Sequence, residues 1–275
     1  MQIEHLNLGT LHALGSLYFP QWSRSGTEDH LICHSLLIDH PRGLTVVDTG
    51  FGQEDLRAPK ERLGRGFLFM SNPQLSEEEL LIRQLETRGI SPDDLQHIVL
   101  THMDLDHAGA LPDFPRTRVH VHATEFEAAH HPSTWMENKR YQPLQWDHGP
   151  QWRVHDQPGT TWMGIPGAQP IDELDGDVLL IPLPGHTRGL CGVAIRLDKG
   201  WLLHAGDSYF HRLEIDPNRS RMAPSSAFFH WLLQVDGPKR RESLGHLRRL
   251  ARDHADEIEI FSAHDPSELA PFLSR

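Results

Sequence analysis

The sequence predicts a mixed α/β fold, and two observations support that prediction. Short apolar or alternating segments, each bounded by Gly, Pro, Asp or Asn, recur along the chain and are typical of β-strands. Segments with helix-capping residues and acidic first turns fall between several of them. Because strands dominate and helices intervene regularly, we expect a layered α/β protein with hairpins near the front of each half.

The strand candidates form two groups along the chain. They cover residues 31–39, 44–48, 97–102, 118–123, 177–183, 191–197, 200–207 and 258–264. No short-period repeat is present in the sequence, and we expect two similar strand-rich halves that meet near residue 170.

Capping residues predict where the helices begin. Ser76 opens a helix with a Ser-Glu capping box, and Gly89 ends that helix after Arg88. Ser91, which is followed by Pro at the first helical position, predicts another start, and Thr124 predicts a third. Later helices are expected over residues 225–235, over 238–254 and from 265 to the end.

Two long segments do not fit the core pattern. Residues 56–75 mix basic residues with Phe and Met, and residues 132–172 hold several tryptophans among Pro, Gly and charged residues. Long irregular segments of this kind are often lids or binding loops, although surface loops anchored by their aromatic residues are the simpler alternative. We expect an insertion or lid around 132–172.

Length and charge limit the classes of protein to consider. At 275 residues, one large domain, or one domain with a sizeable insertion, is expected. The formal net charge of −12, from 26 basic and 38 acidic residues, argues against nucleic acid as a partner, because phosphate binding needs a positive face. The 21 histidines favour metal chemistry instead.

Cysteine usage and the apolar segments predict the setting of the protein. Cys33 and Cys191 are far apart and neither lies in a CxxC pattern, so buried reduced thiols are expected. No basic segment precedes a long apolar one near residue 1, and no apolar stretch has the length of a membrane span. We therefore expect a soluble, cytoplasmic protein with no membrane partner.

The segment THMDLDHAGA, residues 101–110, places several metal-capable side chains directly after a strand candidate. A solvated turn explains any one of them, and a lone His beside a strand is usually a core or surface residue. The compound pattern is more specific, because further candidates stand beside small residues at the ends of other predicted strands. The candidate ligands are His102, Asp104, Asp106, His107, His186, Asp207 and His264.

The spacing of these residues suggests two ions. In an extended segment His102 and Asp104 face the same side, so both can serve one ion. Asp106 and His107 lie beyond a turn and can face a neighbouring ion. Two divalent ions about 3.5–4 Å apart need roughly three terminal ligands each and a bridging carboxylate, and the candidates supply that number.

These motifs, in this order, resemble those of the metallo-β-lactamase superfamily. The segments that carry the resemblance are Asp48-Thr49-Gly50, the HxDxDH run at 102–107, PGHT with His186, AGDS with Asp207 and SAHD with His264. The resemblance spans roughly residues 31–265. It implies an αβ/βα four-layer sandwich formed by a single domain over residues 1–275, with the metals at one edge between two sheets.

The resemblance also implies a role for each ligand. It assigns His102, Asp104 and His186 to the first ion, and Asp106, His107 and His264 to the second. Asp207 would bridge the two ions. Asp48 would tie the metal loop to its strand, although a turn cap is a nearly equal alternative for this residue.

Asp104 departs from the common HxHxDH pattern of the family. An oxygen ligand in place of an imidazole adds negative charge, which shifts the metal preference away from zinc toward iron or manganese. The flavodiiron branch places a Glu at this position, but we expect none of that branch's flavodoxin-like domain in a chain of 275 residues. We expect two divalent ions, zinc first, with iron or manganese as alternatives.

Chain length and the GDS-aromatic segment after Asp207 most resemble the N-acyl homoserine lactone lactonases. The resemblance implies a hydrolase in which a metal-bridging hydroxide opens a lactone or cleaves a carboxylic ester of a small-molecule substrate. Asp106 would take and return the proton, or only orient the water. Lactonases place a catalytic Tyr where this chain has Phe210, so Tyr209 is a catalytic candidate whose alternative is packing under the metal loop.

Other functions stay open at this point. A glyoxalase II-like thioester hydrolase would want a basic patch, and residues 57–65 are the candidate region for it. A β-lactamase usually carries a secretion signal, and the acidic charge suits nuclease and phosphodiesterase branches poorly. A non-catalytic metal-binding or sensor domain is the alternative from another class, and the complete ligand set favours catalysis over it. Both a monomer and a homodimer are consistent with the sequence.

Overall fold

The computed structural model describes residues 1–13, 30–218, 222 and 224–273. Its strands form two mixed sheets of six strands each, which pack face to face, and helices cover the outer face of each sheet. The αβ/βα four-layer sandwich predicted from the sequence is confirmed.

The first sheet contains six strands in chain order, with antiparallel pairing among the first three and parallel pairing among the rest. They are β1 (Gln2–Leu11), β2 (Leu31–His40), β3 (Gly43–Val47), β4 (Leu95–Val99), β5 (Arg118–His122) and β6 (Gln151–His155). Each parallel connection needs a crossover, and the helices of this half lie in those crossovers.

The second sheet runs in the reverse order, from the last strand at one edge to the first strand of this half at the other. Its strands are β7 (Thr160–Trp162), β8 (Ile165–Pro170), β9 (Val178–Pro182), β10 (Cys191–Arg196), β11 (Trp201–His204) and β12 (Ile258–Phe261). Neighbours from β7 to β11 pair antiparallel, and β12 joins β11 in parallel.

The helices fall between the strands and after β12. They are α1 (Gln53–Arg57), α2 (Pro59–Arg62), α3 (Gly64–Ser71), α4 (Leu81–Thr87), α5 (Leu105–Ala108), α6 (Ala123–His130), α7 (Trp135–Arg140), α8 (Pro224–Leu233), α9 (Gly237–Asp253) and α10 (Pro266–Leu273). Leu85 of α4 packs in the outer core of the first sheet, and Leu247 of α9 in that of the second. Val47 and Val193, from opposite sheets, meet in the central core.

The strands predicted from the sequence are confirmed, and four further strands were missed. The missed strands are β1, β6, β7 and β8. The two halves divide between residues 155 and 160, earlier than the predicted boundary near 170. The boundary differs because β7 and β8 lie inside the segment that was predicted to be irregular.

The capping box predicted at Ser76 is wrong. Glu79, its expected partner, accepts a hydrogen bond from the Thr10 hydroxyl of β1 at 2.6 Å, and the Ser76 hydroxyl donates to Glu78 instead. A single 3-10 turn follows, the chain becomes extended, and α4 begins only at Leu81. The contact between Glu79 and β1 therefore replaces the capping interaction that the local sequence predicts.

The other helix starts are closer to the predictions. Ser91 does cap a turn, but that turn is a 3-10 helix of Pro92–Asp94 that leads straight into β4. At the third start the cap is His122, whose Nδ1 accepts from the amide of Thr124. The later helices are confirmed as α8, α9 and α10, and residues 274–275 lie outside the described residues.

The two irregular segments carry secondary structure. Residues 56–75 contain the end of α1 and all of α2 and α3, and residues 132–172 contain α7 and strands β6 to β8. Trp146 and Trp162 are buried, whereas the side chain of Trp135 is 72% exposed. The insertion or lid around 132–172 stays a prediction. Within the described residues, no helix combines the length and the apolar character that crossing a membrane requires.

Loops that follow β4, β9, β11 and β12 carry the predicted ligands. The parallel strands β11 and β12 end at the same edge of the second sheet. In the first sheet the end of β4 lies beside the loop that follows β3, because the amide of Asp48 donates to the carbonyl oxygen of Val99. Residues from separate parts of the chain therefore meet at one end of the sandwich.

A row of imidazoles crosses three neighbouring strands of the first sheet. Nδ1 of His97 lies 2.9 Å from Nε2 of His120, whose own Nδ1 lies 3.0 Å from Nε2 of His155. Burial, with the neighbouring imidazoles and arginines, lowers the pKa of His120 to about 2. Burial also lowers the pKa values of His97 and His155, so the interior favours the neutral form of all three imidazoles.

The pH dependence of stability tests this row. In the unfolded chain His120 returns toward its ordinary pKa of 6.5, so below that pH the unfolded state binds more protons and the free energy of unfolding falls. Between about pH 7 and about pH 5, the free energy of unfolding of His120→Leu should therefore fall by about 2 kcal/mol less than that of the wild type, measured by urea denaturation. His12→Leu, at an exposed imidazole, is the control and should leave that loss unchanged. Equal losses in the wild type and His120→Leu would contradict the prediction.

Candidate metal centre

The loop after β4 changes from extended to helical backbone at Asp104. His102 precedes that change, and Asp104 is the N-cap residue of α5, which contains Asp106 and His107. The amides of His107 and Ala108 both donate to the carbonyl oxygen of Asp104 at 3.0 Å. The change separates the ligands into the two pairs that the spacing predicted.

Asp48 fixes this loop from the end of β3. Its carboxylate accepts from the amide and the hydroxyl of Thr101, at 2.8 and 2.7 Å, and from Nδ1 of His107 at 2.8 Å. Burial opposes its charge, but His107 holds the pKa of Asp48 below its ordinary value. Gly50 has a φ of +63°, and a Cβ there would lie 2.2 Å from the carbonyl oxygen of Leu8. The DTG segment thus turns tightly beneath the loop.

In three of the candidate ligands, His102, His107 and His264, the hydrogen bond made by Nδ1 sets the tautomer of the imidazole. His102 Nδ1 lies 2.9 Å from the hydroxyl of Thr101, which gives its own proton to Asp48 and so accepts from the ring. His264 Nδ1 donates to the carbonyl oxygen of Ile32 at 2.7 Å. As in His107, Nδ1 carries the proton and Nε2 is left with a lone pair, the form in which imidazole binds metals.

The structure brings all seven predicted ligand residues together in two groups. Ligand atoms within each group lie within 4.8 Å of one another; the groups are His102, Asp104, His186 and Asp207, and Asp106, His107 and His264. Asp207 lies between the groups: Oδ1 is 3.3 Å from Nε2 of His107, and Oδ2 is 3.0 Å from Nε2 of His264 and 3.3 Å from Nε2 of His186. The groups have the members that the family resemblance implied for the two ions, with Asp207, the implied bridge, counted in the first group.

Several polar atoms of the cluster are buried without a hydrogen-bond partner among the described residues. They are Nε2 of His102, Nε2 of His107, Nδ1 of His186, Oδ1 of Asp104 and Oδ1 of Asp207. A buried polar atom without a partner is costly, and cations bound in the two groups would satisfy Nε2 of His102, Nε2 of His107 and Oδ1 of Asp207. Imidazole nitrogens and carboxylate oxygens are ligands for zinc, iron and manganese, so the residues present fit divalent ions of this class.

The electrostatics of the cluster also favour a cation. Burial lowers the pKa of His107, but Asp207 and Asp48 outweigh it and raise that pKa well above its ordinary value. Burial opposes ionisation of Asp207, yet the surrounding imidazoles, first among them His264, hold its pKa well below its usual range. A divalent ion can take the place of the proton that these carboxylates attract to His107.

A cavity of about 710 Å³ opens over the cluster. Apolar side chains from three helices line it, among them Phe67 of α3, Met136 of α7 and Phe229 of α8. The cluster residues that line the same cavity are Asp104, Asp106, His186, Asp207 and His264. The cavity therefore joins an apolar wall to a polar, charged end, as small-molecule sites do.

Tyr209 is the predicted site residue that the structure leaves apart from the others. Its side chain is fully buried in the outer core of the second sheet, and its hydroxyl donates to Oε1 of Glu268 in α10 at 2.9 Å. Phe210 lines the cavity instead, with its ring centre 6.0 Å from that of His186. Tyr209 therefore packs in this core, and its catalytic role stays a prediction.

Glu125 supports the site and was missed in the sequence. Its Oε1 accepts from the amide of Met103 and the hydroxyl of Tyr141, both at 3.0 Å. Its Oε2 accepts from the hydroxyl of Thr187 at 2.7 Å and the amide of Gly189 at 3.1 Å. This fully buried carboxylate joins the loop of His102 to the loop of His186. In the sequence, a Glu near a helix start is indistinguishable from an ordinary first-turn acid.

Comparison with known proteins gives a consistent family. The model of the metallo-β-lactamase superfamily matches residues 29–262. A probable metallo-hydrolase of Mycobacterium tuberculosis is 37% identical over 268 residues, which cover 97% of this chain and 81% of the relative. The N-acyl homoserine lactonase AttM of Agrobacterium fabrum is 31% identical over 243 residues, which cover 86% of this chain and 82% of the relative.

Solved structures give the same fold. One is an N-acyl homoserine lactone hydrolase with the product N-hexanoyl-L-homoserine bound at its catalytic metal center. It aligns with a TM-score of 0.69 at 20% identity and covers 98% of this chain and 95% of its own. At this identity the likeness shows the fold alone.

Glu125→Gln tests the link between the two ligand loops. Glu125 accepts four hydrogen bonds, two on each carboxylate oxygen, and in the variant an NH₂ group replaces one of these oxygens and faces two of the donors. Because two hydrogen bonds are lost in a buried site, we expect the free energy of unfolding to fall by about 2–4 kcal/mol. We also expect bound metal, measured by elemental analysis, to decrease. Glu127→Gln is the matched control on the same helix, because its side chain is 64% exposed. Wild-type stability and metal content in Glu125→Gln would rule out this role.

Proposed function

Since this chain belongs to the metallo-β-lactamase superfamily and is a metal-dependent hydrolase, we propose that it opens the ring of small-molecule lactones. N-acyl homoserine lactones are the first candidate substrates, and carboxylic esters share the same chemistry. The observation that carries the proposal is the cluster of ligand residues, with unpartnered buried atoms, at the end of an apolar cavity. The N-acyl homoserine lactonases among the relatives support lactones over other acyl substrates.

We assign the metal-holding roles as the two groups suggest. The proposed terminal ligands are His102, Asp104 and His186 for one ion and Asp106, His107 and His264 for the other, with Asp207 shared. Divalent ions bound there would supply Lewis acidity toward a carbonyl oxygen and would lower the pKa of a water molecule. Zinc is the first candidate, with iron or manganese as alternatives because of Asp104.

Asp106 is the residue proposed to handle the proton. Its side chain lines the cavity and is nearly buried, and its Oδ2 lies 3.7 Å from Nε2 of His264. A carboxylate at the boundary between the ligand cluster and the cavity can hold a proton from the attacking water and return it to the ring oxygen that leaves. Its place on the short helix α5 fixes its direction.

The cavity supports an acyl substrate of some length. Phe67 and Phe229 offer apolar surface away from the charged end, so a lactone ring at the cluster would leave its acyl chain along these walls. Helix α7, in the segment proposed as an insertion or lid, forms one of the walls through Met136. Exclusion of water by these side chains would strengthen the electrostatic interactions at the cluster.

A glyoxalase II-like thioester hydrolase is the second candidate. Arg65 and Lys139 are exposed side chains that line the same cavity. Cations at this position would suit a substrate with carboxylates at the end distant from the scissile bond. This arrangement supplies the basic residues that a thioester of an acidic peptide would need.

A substrate panel with the metal-loaded protein tests the proposal. We expect hydrolysis of N-acyl homoserine lactones, with weaker cleavage of aryl esters and thioesters, and loss of activity after treatment with a chelator. Asp106→Asn should lower kcat/KM by about 100-fold or more, because it removes both a ligand and the proton carrier. Asp93→Asn, at an exposed carboxylate paired with Arg116, is the control and should act like the wild type.

Each contrary result of the panel has a separate meaning. Turnover of thioesters alone would replace the lactonase proposal with the second candidate. Metal bound in stoichiometric amounts without turnover of any acyl substrate would favour the non-catalytic metal-binding domain. Activity that survives complete removal of metal would exclude the proposed chemistry.

Tyr209→Phe tests whether the hydroxyl takes part in the reaction. Because that hydroxyl is bound to Glu268 and does not line the cavity, we expect kcat/KM on the best lactone to stay within about 3-fold of the wild type. We expect the free energy of unfolding to fall by about 1 kcal/mol from the lost hydrogen bond. A large decrease in kcat with unchanged stability would instead support Tyr209 as a catalytic residue.

A further inference from the structure

Arg140 places a buried positive charge against one ligand of the proposed metal centre. It ends helix α7, and its side chain is 6% exposed. Nη1 donates to Oδ2 of Asp104 at 2.6 Å, and Nη2 donates to the carbonyl oxygen of Leu233 in α8. The guanidinium is therefore held from two sides, and it lines the cavity beside the ligand cluster.

The two oxygens of Asp104 have different surroundings. Oδ2 receives the guanidinium and also lies 3.1 Å from Nε2 of His186 and 3.3 Å from Nε2 of His102. Oδ1 is buried and has no hydrogen-bond partner among the described residues. Arg140 thus binds the same oxygen that faces the ligand nitrogens of His102 and His186, so the guanidinium lies directly against the first metal position.

The second ligand group has no comparable cation. In the part of the chain that the structure describes, the ion pairs of Asp106, and of Asp207, which the proposed arrangement shares between the two groups, involve only histidines. Histidines that bind a metal are neutral, so they do not offset the negative charge that these carboxylates present to a metal ion. The charge of Asp104 is instead offset by Arg140, which stays protonated at any working pH.

We propose that Arg140 sets the metal affinity of the first ligand group and makes it the weaker of the two metal positions. A fixed positive charge within one carboxylate of a metal position repels a divalent cation, and it also withdraws charge from the ligand that would attract it. The inference rests on the metal centre of the proposed function. Arg140 is a positioning residue in this role, since it acts through Asp104.

Asp104→His alone would not produce a site of the common family pattern. An imidazole in place of the carboxylate would leave Arg140 buried beside the metal position without its partner. Asp104→His with Arg140→Gln removes both charges together. The charge balance therefore predicts that the double variant binds zinc in the first group more tightly than Asp104→His does.

Stepwise zinc binding to the full chain, after removal of metal, tests the inference. Titration against a chromophoric chelator should show two steps of different affinity in the wild type. We expect Arg140→Gln and Arg140→Met to tighten the weaker step by about 10-fold or more and to leave the tighter step within about 3-fold. Arg140→Lys keeps the charge and should retain the wild-type pattern.

Arg188→Gln is the matched control. Arg188 pairs with the buried Glu137 of α7 rather than with a ligand of the cluster, so both zinc steps should be preserved in this variant. Near-ultraviolet circular dichroism establishes that each variant is folded before titration. If Arg140→Gln were unfolded, the comparison of Asp104→His with its double variant would still decide, because only the proposal predicts tighter binding in the double variant.

The outcomes separate the two levels of the proposal. Wild-type protein that binds no zinc would overturn the metal centre and this inference with it. Two bound zinc ions with an unchanged or weaker first-group step in Arg140→Gln and Arg140→Met would overturn the role of Arg140 and leave the metal centre intact.

Discussion

Three of the four proposed imidazole ligands, His102, His107 and His264, can offer a lone pair to the centre of the cluster because the other ring nitrogen of each donates to a fixed acceptor, and the site depends on this constraint. Asp48 provides the acceptor for His107 directly and for His102 through Thr101. The backbone of β2 provides it for His264. Because these acceptors lie on the strands or directly after them, the sheets hold the rings in a fixed orientation.

The same constraint explains why the ligand loops are tied to one another as well as to the strands. Glu125 lies at the start of α6 and accepts donors from the loops of His102 and His186. A carboxylate that accepts four hydrogen bonds from these loops and from Tyr141 holds both loops at a fixed separation. The first ligand group, contributed by both halves of the chain, is in this way held by one buried residue.

The sequence was informative where the determining contacts are local. The HxDxDH run could be interpreted as two ligand pairs because strand and helix periodicities fix the directions of neighbouring side chains. Arg140 and Glu125 were missed because their partners lie 36 and up to 64 residues away, and neither stands in a local pattern. The predicted capping box at Ser76 was wrong for a related reason, since Glu79 accepts a hydrogen bond from Thr10 of β1, which is 69 residues away in the sequence.

The departure at Asp104 is best understood as a change at two positions. An aspartate and an arginine together carry the same net charge as the neutral imidazole of the common family pattern, so the overall charge near the first ligand group is preserved. The geometry is not preserved. The guanidinium that balances the charge belongs to α7, a wall of the cavity, and is also bound to Leu233 of α8. Movement of either wall would therefore change the field at the first ligand group, a coupling that an imidazole ligand alone would not create.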